Sequence, residues 1–393
     1  MRLIDDAERR ARLGRRHCLT PSERAGDVGQ AAERVVCLHA TDPATVFLSA
    51  WARCREMGIG DLEQAVYVDR SLVKHLAMRR TLFVFPRDLL GAAQAGASDR
   101  VADQERRRLI ADVEKAGLHR NGGRWLAKAS GAVMERLSDG REASMKELRD
   151  EIPSLEGSLT YGEGRSWGGQ VSVGPRVLTT LSAAGRIVRA TNDGGWTTSR
   201  PRWSLMSAWL GHDLEPPTAP EGVATLVRRW LQAFGPGTET DLKWWLGSTL
   251  TAVRQALVDV DAVEVQLEDG TGFVLPDDVE AAPPTEPWAA LLPPLDPTTM
   301  GWKQRAWYLG PHKDQLFDRA GNAGSTAWWD GRIVGGWCRD EDGGVHVQLL
   351  EPVSPDGQRA LGAEAERLTA WLDGAPLSPR FPSPLWKIGI ADG

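Results

Sequence analysis

The stretch "GPRVLTTLSAAGRIVRATNDGGWTTSRPRWSL", residues 174–205, decides the fold. Its first half places apolar residues three and four apart, the spacing of a helix. A β-rich run from Ile187 to Thr191 follows, then Asn192-Asp193-Gly194-Gly195, then a second run ending at Leu205. Turn residues between two such runs predict a hairpin. Just upstream, "SMKELRDEIPSL" (144–155) opens with Ser144 and, three residues on, Glu147, a pair that caps and starts a helix. Helix, turn, helix and two-stranded hairpin in this order make the winged-helix pattern.

The pattern recurs on both sides. On the N-terminal side, "SERAGDVGQAAERVV" (22–36), "DPATVFLSAWARCREMG" (42–58) and "DLEQAVYVDRSLVKHLAMR" (61–79) read as helices, and "TLFVF" (81–85) as a strand. A charged helix over 101–117 bridges to the central unit. On the C-terminal side, 221–235, 238–247 and 249–260 read as helices, and "VEVQLEDGTGFVL" (263–275) as a hairpin with an Asp-Gly turn. The Pro-rich stretch "APPTEPWAALLPPLDP" (282–297) reads as a linker. Beyond it, 325–351 predicts three strands and 361–374 an amphipathic helix.

The expected fold is therefore α+β, with three tandem winged-helix domains and a C-terminal β-rich segment. The expected boundaries are 1–118, 119–215, 216–281 and 282–393.

The chain has 393 residues, 41% hydrophobic and 25% charged, enough to bury a sizeable core. The start, "MRLIDDAERRARLGRRHCL", has no apolar core of a secretory signal, and no uncharged apolar run is long enough to span a membrane. A cytoplasmic protein is expected. The four cysteines (Cys18, Cys37, Cys54, Cys338) form no Cys-x-x-Cys pair and no zinc-ligand spacing, so reduced structural thiols and no metal are expected. The net charge of −6 does not advertise a nucleic-acid binder, but binding depends on where cations sit. Most of the 47 basic residues are arginine, the better bidentate phosphate ligand, and the 17 tryptophans offer stacking surfaces.

The candidate DNA-contacting residues lie in three places. Arg79 and Arg80 precede the first strand. Arg176 lies on the recognition-like helix of the central unit, and Arg200 and Arg202 lie on its wing. Met300, Trp302, Lys303 and Arg305 lie on "TTMGWKQR", after the Pro-rich stretch. Such cations position a duplex through its phosphates without reading sequence. The Gly-rich stretch at 162–174 lacks a P-loop lysine and a strand–loop–helix context, so it reads as a loop and no nucleotide cofactor is expected. No Gly-x-Ser-x-Gly elbow is present.

One further stretch, "LHATDP" (38–43), breaks an apolar run just before a helix. Asp42 before Pro43 is a standard helix start, although a catalytic role for this carboxylate is the alternative. His39 and Thr41 sit two apart in an extended approach, so they point the same way.

"LHATDPATVFLSAWAR" (38–53), "AVYVDRSLVKHLAMRRTLFVF" (65–85) and the run from "LLPPLDPTTMGWKQRAWYLG" (291–310) to "LFDRAGNAGSTAWWDGRIVGGW" (316–337) together resemble the AlkZ/YcaQ-like DNA glycosylases. The resemblance runs from about residue 20 to the C-terminus. It implies tandem winged-helix domains around a concave DNA-binding face, and a monofunctional glycosylase acting as a monomer without a cofactor. The implied partner is double-stranded DNA carrying bulky N7-alkylguanine adducts, met in antibiotic self-resistance or alkylation repair. The family's catalytic Gln-x-Gln falls on His39 and Thr41, and a position usually held by His falls on Phe83. By this resemblance His39 and Thr41 place the attacking water, His39 as a hydrogen-bonding group or as a general base with a near-neutral pKa. A non-catalytic winged-helix DNA-binding or regulatory protein is the alternative reading.

Overall fold

The computed structural model describes residues 1–161 and 169–391, so part of the Gly-rich stretch, 162–168, lies outside the described residues. Helices and short antiparallel sheets alternate along the chain. After helices Asp6–Arg16 and Val28–Arg34, the chain makes strand β1 (Leu38–His39) and helix Pro43–Arg53. That helix is buried along nearly its whole length, its polar Thr45, Ser49 and Arg53 included. Strands β2 (Leu72–Ala77) and β3 (Thr81–Pro86) complete a three-stranded sheet in the order β1–β3–β2.

β2 departs from the helix expected over 61–79. The helix Ile59–Glu63 ends in a single π turn, Gln64–Val68, and the chain then turns at Arg70 (φ 55°). Leu72, Val73, His75 and Leu76 are buried on both faces of the sheet, which removes the alternation that marks a strand. Their closely spaced apolar residues therefore mimic helical periodicity. The turn into β3 runs through Arg79 and Arg80, both at positive φ.

The middle of the chain holds helices Asp99–Lys115, Gly122–Arg136 and Met145–Glu151, with strand β4 (Ala143–Ser144) between the last two. Ser144 and Glu147 form the expected capping box. Flanking the undescribed segment, β5 (Ser158–Tyr161) and β6 (Gly169–Ser172) pair, so residues 169–172 of the Gly-rich stretch are strand and not loop. Helix Val173–Ala183 leads into the hairpin of β7 (Ile187–Asn192) and β8 (Pro201–Leu205). Side chains between residues 109 and 203 enclose a core of their own, around Leu109, Val133, Val177 and Ile187.

Helix Ala219–Phe234 crosses the first unit at Gly96 and Gly222. A Cβ on Gly96 would lie 2.8 Å from the Gly222 carbonyl carbon, and one on Gly222 would lie 2.7 Å from the Gly96 nitrogen. Only two glycines allow the backbones to approach this closely. Helices Glu239–Leu246 and Leu250–Asp259 and the hairpin β9 (Val263–Leu267) and β10 (Gly270–Val274) follow.

The Pro-rich stretch is not a free linker. Its proline-free centre, β11 (Ala289–Leu292), is wholly buried and pairs with β12 (Thr326–Trp329). The sheet continues through β13 (Arg332–Arg339) and β14 (Val345–Leu349), and helices Pro355–Leu372 and Pro384–Ala391 close the chain. This sheet and the units at both ends of the preceding chain share one continuous core. All four cysteines are buried and unpaired. No helix of the described residues is long and apolar enough to cross a membrane.

Candidate active site

Asp42 starts the helix Pro43–Arg53. It is extended (φ −98°, ψ 123°), and one carboxylate oxygen accepts the Ala44 amide at 3.1 Å. The other oxygen accepts the Arg380 amide at 2.8 Å, which ties the C-terminal segment to the motif. Burial raises its pKa, opposed by these two amides. Both oxygens are thus engaged in structure.

His39 ends β1 opposite Phe83, whose ring meets the imidazole edge-on at 5.3 Å. Its Nδ1 accepts a long hydrogen bond of 3.4 Å from the Thr41 amide, which assigns the proton to Nε2. Burial, and then the Arg79 guanidinium, push its pKa down to about 3. This corrects the expected general base of near-neutral pKa: the ring is a neutral hydrogen-bonding group across the physiological range. Thr41 is half-buried, and its carbonyl accepts from the Arg380 guanidinium at 3.4 Å.

The sheet separates two environments. His39, Phe83 and His75 are directly opposite one another across β1–β3–β2, so their side chains share one face. Ala40 lines a narrow cleft on the other face, a cavity of about 40 Å³. Its walls are Pro43 and Phe47 from the motif helix, Glu63 from the helix Ile59–Glu63, Tyr67 from the π turn after it, Lys74 from β2, and Arg189 and Trp196 from the central hairpin. Lys74 donates to the Tyr67 hydroxyl at 2.6 Å and lies 4.6 Å from that ring's centre. Burial and the nearby Arg189 lower its pKa to about 8. Arg189 sits over the Trp203 ring at 5.4 Å, with its pKa pushed to about 10 by burial and Arg380.

A larger cleft, about 640 Å³, opens where the first unit, the helix Glu239–Leu246 and the segment 300–322 meet. Arg79 stacks on Trp244 at 4.0 Å, Arg305 approaches the same ring at 5.1 Å, and Lys303 and Lys313 add further charge. The buried Asp241 carboxylate accepts the amides of Lys303 and Gln304, both at 2.8 Å, which fixes this loop. Burial and Arg305 depress the Arg79 pKa to about 10. No ion pair is formed by Arg79, Arg305, Lys303 or Lys313 with the described residues. A guanidinium stacked on an indole keeps its in-plane N–H donors free for an anion.

Not every expected contact reaches a surface. Trp302 is 2% exposed and packs against His17, Phe234, Trp307 and Tyr308, so it serves the core and not DNA. Met300 is also buried, although it borders the larger cleft. Arg176 is buried and paired with Asp112 at 2.7 Å, which removes it from a DNA-facing surface. Arg80 pairs with Glu105, and Arg202 pairs with Glu147 and Asp193. Arg200 is exposed, and its amide is held by Asn192 at 2.7 Å. Sequence reasoning missed Lys74, Tyr67 and Arg189. Reading 61–79 as one helix hid that Lys74 lies on a strand, its side chain beside Tyr67.

Three comparisons bear on this geometry. A family model described as "DNA glycosylase AlkZ-like" matches residues 32–371. A solved structure, the DNA glycosylase AlkZ of Streptomyces sahachiroi, shares the fold at a TM-score of 0.74, over 97% of this chain and 99% of its own, with 22% identity. A search of curated proteins gives no match. With the match spanning nearly its whole length, this chain belongs to the AlkZ-like family of DNA glycosylases.

Proposed function

We propose that the protein hydrolyses the N-glycosidic bond of bulky N7-alkylguanine adducts in duplex DNA, with water as nucleophile and no cofactor. The observation that carries this reading is the lightness of the acid–base apparatus at 39–42. His39 is held neutral, and both oxygens of Asp42 are bound by amides. Such a site supplies no strong general acid. An N7-alkylated guanine needs none, because its positive charge already makes it a good leaving group. His39 and Thr41 then orient the attacking water through hydrogen bonds while the sugar becomes cationic.

The helix–hairpin units ending at 86, 205 and 274 are read as three winged helices, with 282–393 as the C-terminal domain. The larger cleft supports a bulky adduct over a small one, since its volume matches that of drug-sized ligand sites. Arg79, Lys303 and Arg305 would grip DNA phosphates there, with Arg200 on the central wing as a further contact, and the protein would act as a monomer.

The test is a panel of duplexes carrying N7-methylguanine or a bulky N7-alkylguanine. Release of the free modified base with alkali-labile sites is expected, faster on the bulky lesion. Intact DNA across the whole panel overturns the reading.

A further inference from the structure

The larger cleft has a charge balance that a neutral adduct leaves unanswered. Of its basic side chains, Arg9 is paired with Asp6 at 3.2 Å. Arg79 and Arg305 are half-buried, and Lys303 and Lys313 are exposed. Among the described residues these four form no ion pair, the one carboxylate on the cleft wall is Asp269, and the Arg79 Nε is buried without a hydrogen-bond partner. Asp241, beneath the cleft, gives both its oxygens to the amides of Thr238, Lys303 and Gln304.

The two guanidiniums are held in place. Arg79 lies 4.0 Å from the centre of the Trp244 ring, and Arg305 lies 5.1 Å from that ring and 4.9 Å from Phe317. Arg79 also has a left-handed backbone (φ 55°), a conformation that persists only where the surroundings enforce it. Its stem packs on Gly247, where an added Cβ would lie 2.9 Å from the Arg79 Cγ. Two rigid cations close enough for Arg305 to lower the Arg79 pKa are an unfavourable pair until an anion joins them.

The cleft is also coupled to the motif. His39 stands opposite Phe83, and the Ala40 amide donates to the Leu82 carbonyl at 2.8 Å, so the chain past Ala40 heads for the Arg79–Arg80 turn. The Arg79 charge reaches His39 there. A bare cation so placed opposes the proposed chemistry, in which a cationic base leaves a sugar that itself becomes cationic. An anion seated on the arginines removes that opposition.

We propose that the cleft selects N7-alkylguanine adducts whose appended group carries a carboxylate, held by Arg79 and Arg305. A backbone phosphate fills one guanidinium fork, and the exposed lysines serve phosphates outside, so the second fork stays open for the adduct. The volume of about 640 Å³ admits such a group whole.

The inference rests on the glycosylase reading, and its test follows binding and base release separately. Two duplexes carry the same bulky N7-alkylguanine, ending in a carboxylate in one and in its methyl ester in the other. A 2′-fluoro sugar at the lesion blocks release while affinity is measured by fluorescence anisotropy. The full chain should bind the acid about tenfold more tightly than the ester, and with enzyme below saturation release it faster. Arg79→Gln and Arg305→Gln should each erase the difference. Because acid and ester are compared within one variant, a general loss of duplex affinity cancels. An ester bound as tightly as the acid or released as fast by the wild type, or a preference that survives both substitutions, overturns the proposal. If the acid binds more tightly through the arginines while neither base is released, the hydrolytic reading fails and the carboxylate site stands.

Discussion

Arg53 and Asp296 lie 243 residues apart in the chain and form a fully buried, two-pronged ion pair, with N–O distances of 2.7 and 2.8 Å. Ser49 donates to the same carboxylate at 2.7 Å, and Thr298 accepts from Arg53 at 2.7 Å. His17 shares the Thr298 hydroxyl at 2.8 Å. The network bolts the helix carrying the motif to the Pro-Leu-Asp-Pro turn of the C-terminal region. Asp296→Asn should leave a buried guanidinium short of its counter-charge and lower stability by about 3–5 kcal/mol. Urea unfolding followed by circular dichroism measures it; a loss under about 1 kcal/mol would contradict the bolt.

His39→Ala should slow base release by about 10²–10³-fold, the usual cost of losing one hydrogen-bonding group at a reacting centre. His39→Gln should recover much of the rate, since an amide also offers a donor. Single-turnover release on an N7-alkylguanine duplex gives both rates.

Because the His39 pKa lies at about 3, the single-turnover rate should show no histidine limb between pH 5.5 and 8. An inflection near 6.5 that vanishes in His39→Ala would show that the imidazole titrates in the complex.

Stability should depend on pH in the opposite way to a salt-bridged histidine. Burial lowers the pKa of His39 to about 3, of His75 to about 4, and of His17 well below its usual value. Between these values and 6.5 the unfolded chain binds more protons than the folded one, so stability rises with pH and is lost on acidification. The loss begins near pH 6.5 and continues towards 4 and below, at about 1 kcal/mol per pH unit per histidine. Urea midpoints at pH 7.5 and 5.0 report it, and His75→Phe should flatten the dependence.

Arg79→Ala and Arg305→Ala should each weaken binding to any duplex and reduce the slope of log affinity against log salt by about 1. Arg200→Ala should weaken binding more than Arg202→Ala, because Arg202 is already shared by two carboxylates. Fluorescence anisotropy over a salt series separates these cases.

The hairpins at 187–205 and 263–274 are legible in the sequence because Asn-Asp-Gly-Gly and Asp-Gly punctuate them, and the Asp42-Pro43 start is a local signal. β2 is not, since burial on both faces erased its alternation, and β11 hid inside a proline-flanked run. The candidate site at 39–41 is proposed from the family resemblance, because the Asp-Pro helix start alone reads as a cap. Its electrostatics were not legible: that His39 is neutral depends on burial and on Arg79, which reaches it through the fold. The setting of Lys74 emerged only when β2 became a strand and Arg189, more than a hundred residues away, came to face it.

The separate core between residues 109 and 203 has a consequence for cooperativity. Its attachments include the wing tip, where Trp196 meets Phe47 and Trp371, and a small apolar patch joining Val73 and Leu90 to Val188 and Met206. A segment that closes its own core and docks through few apolar contacts is a candidate foldon, able to detach without unravelling the rest. Amide hydrogen exchange in that segment should then proceed through an opening smaller than global unfolding. The narrow cleft would widen each time the segment lifts, so the same excursion that exposes its amides to solvent would also expose Lys74.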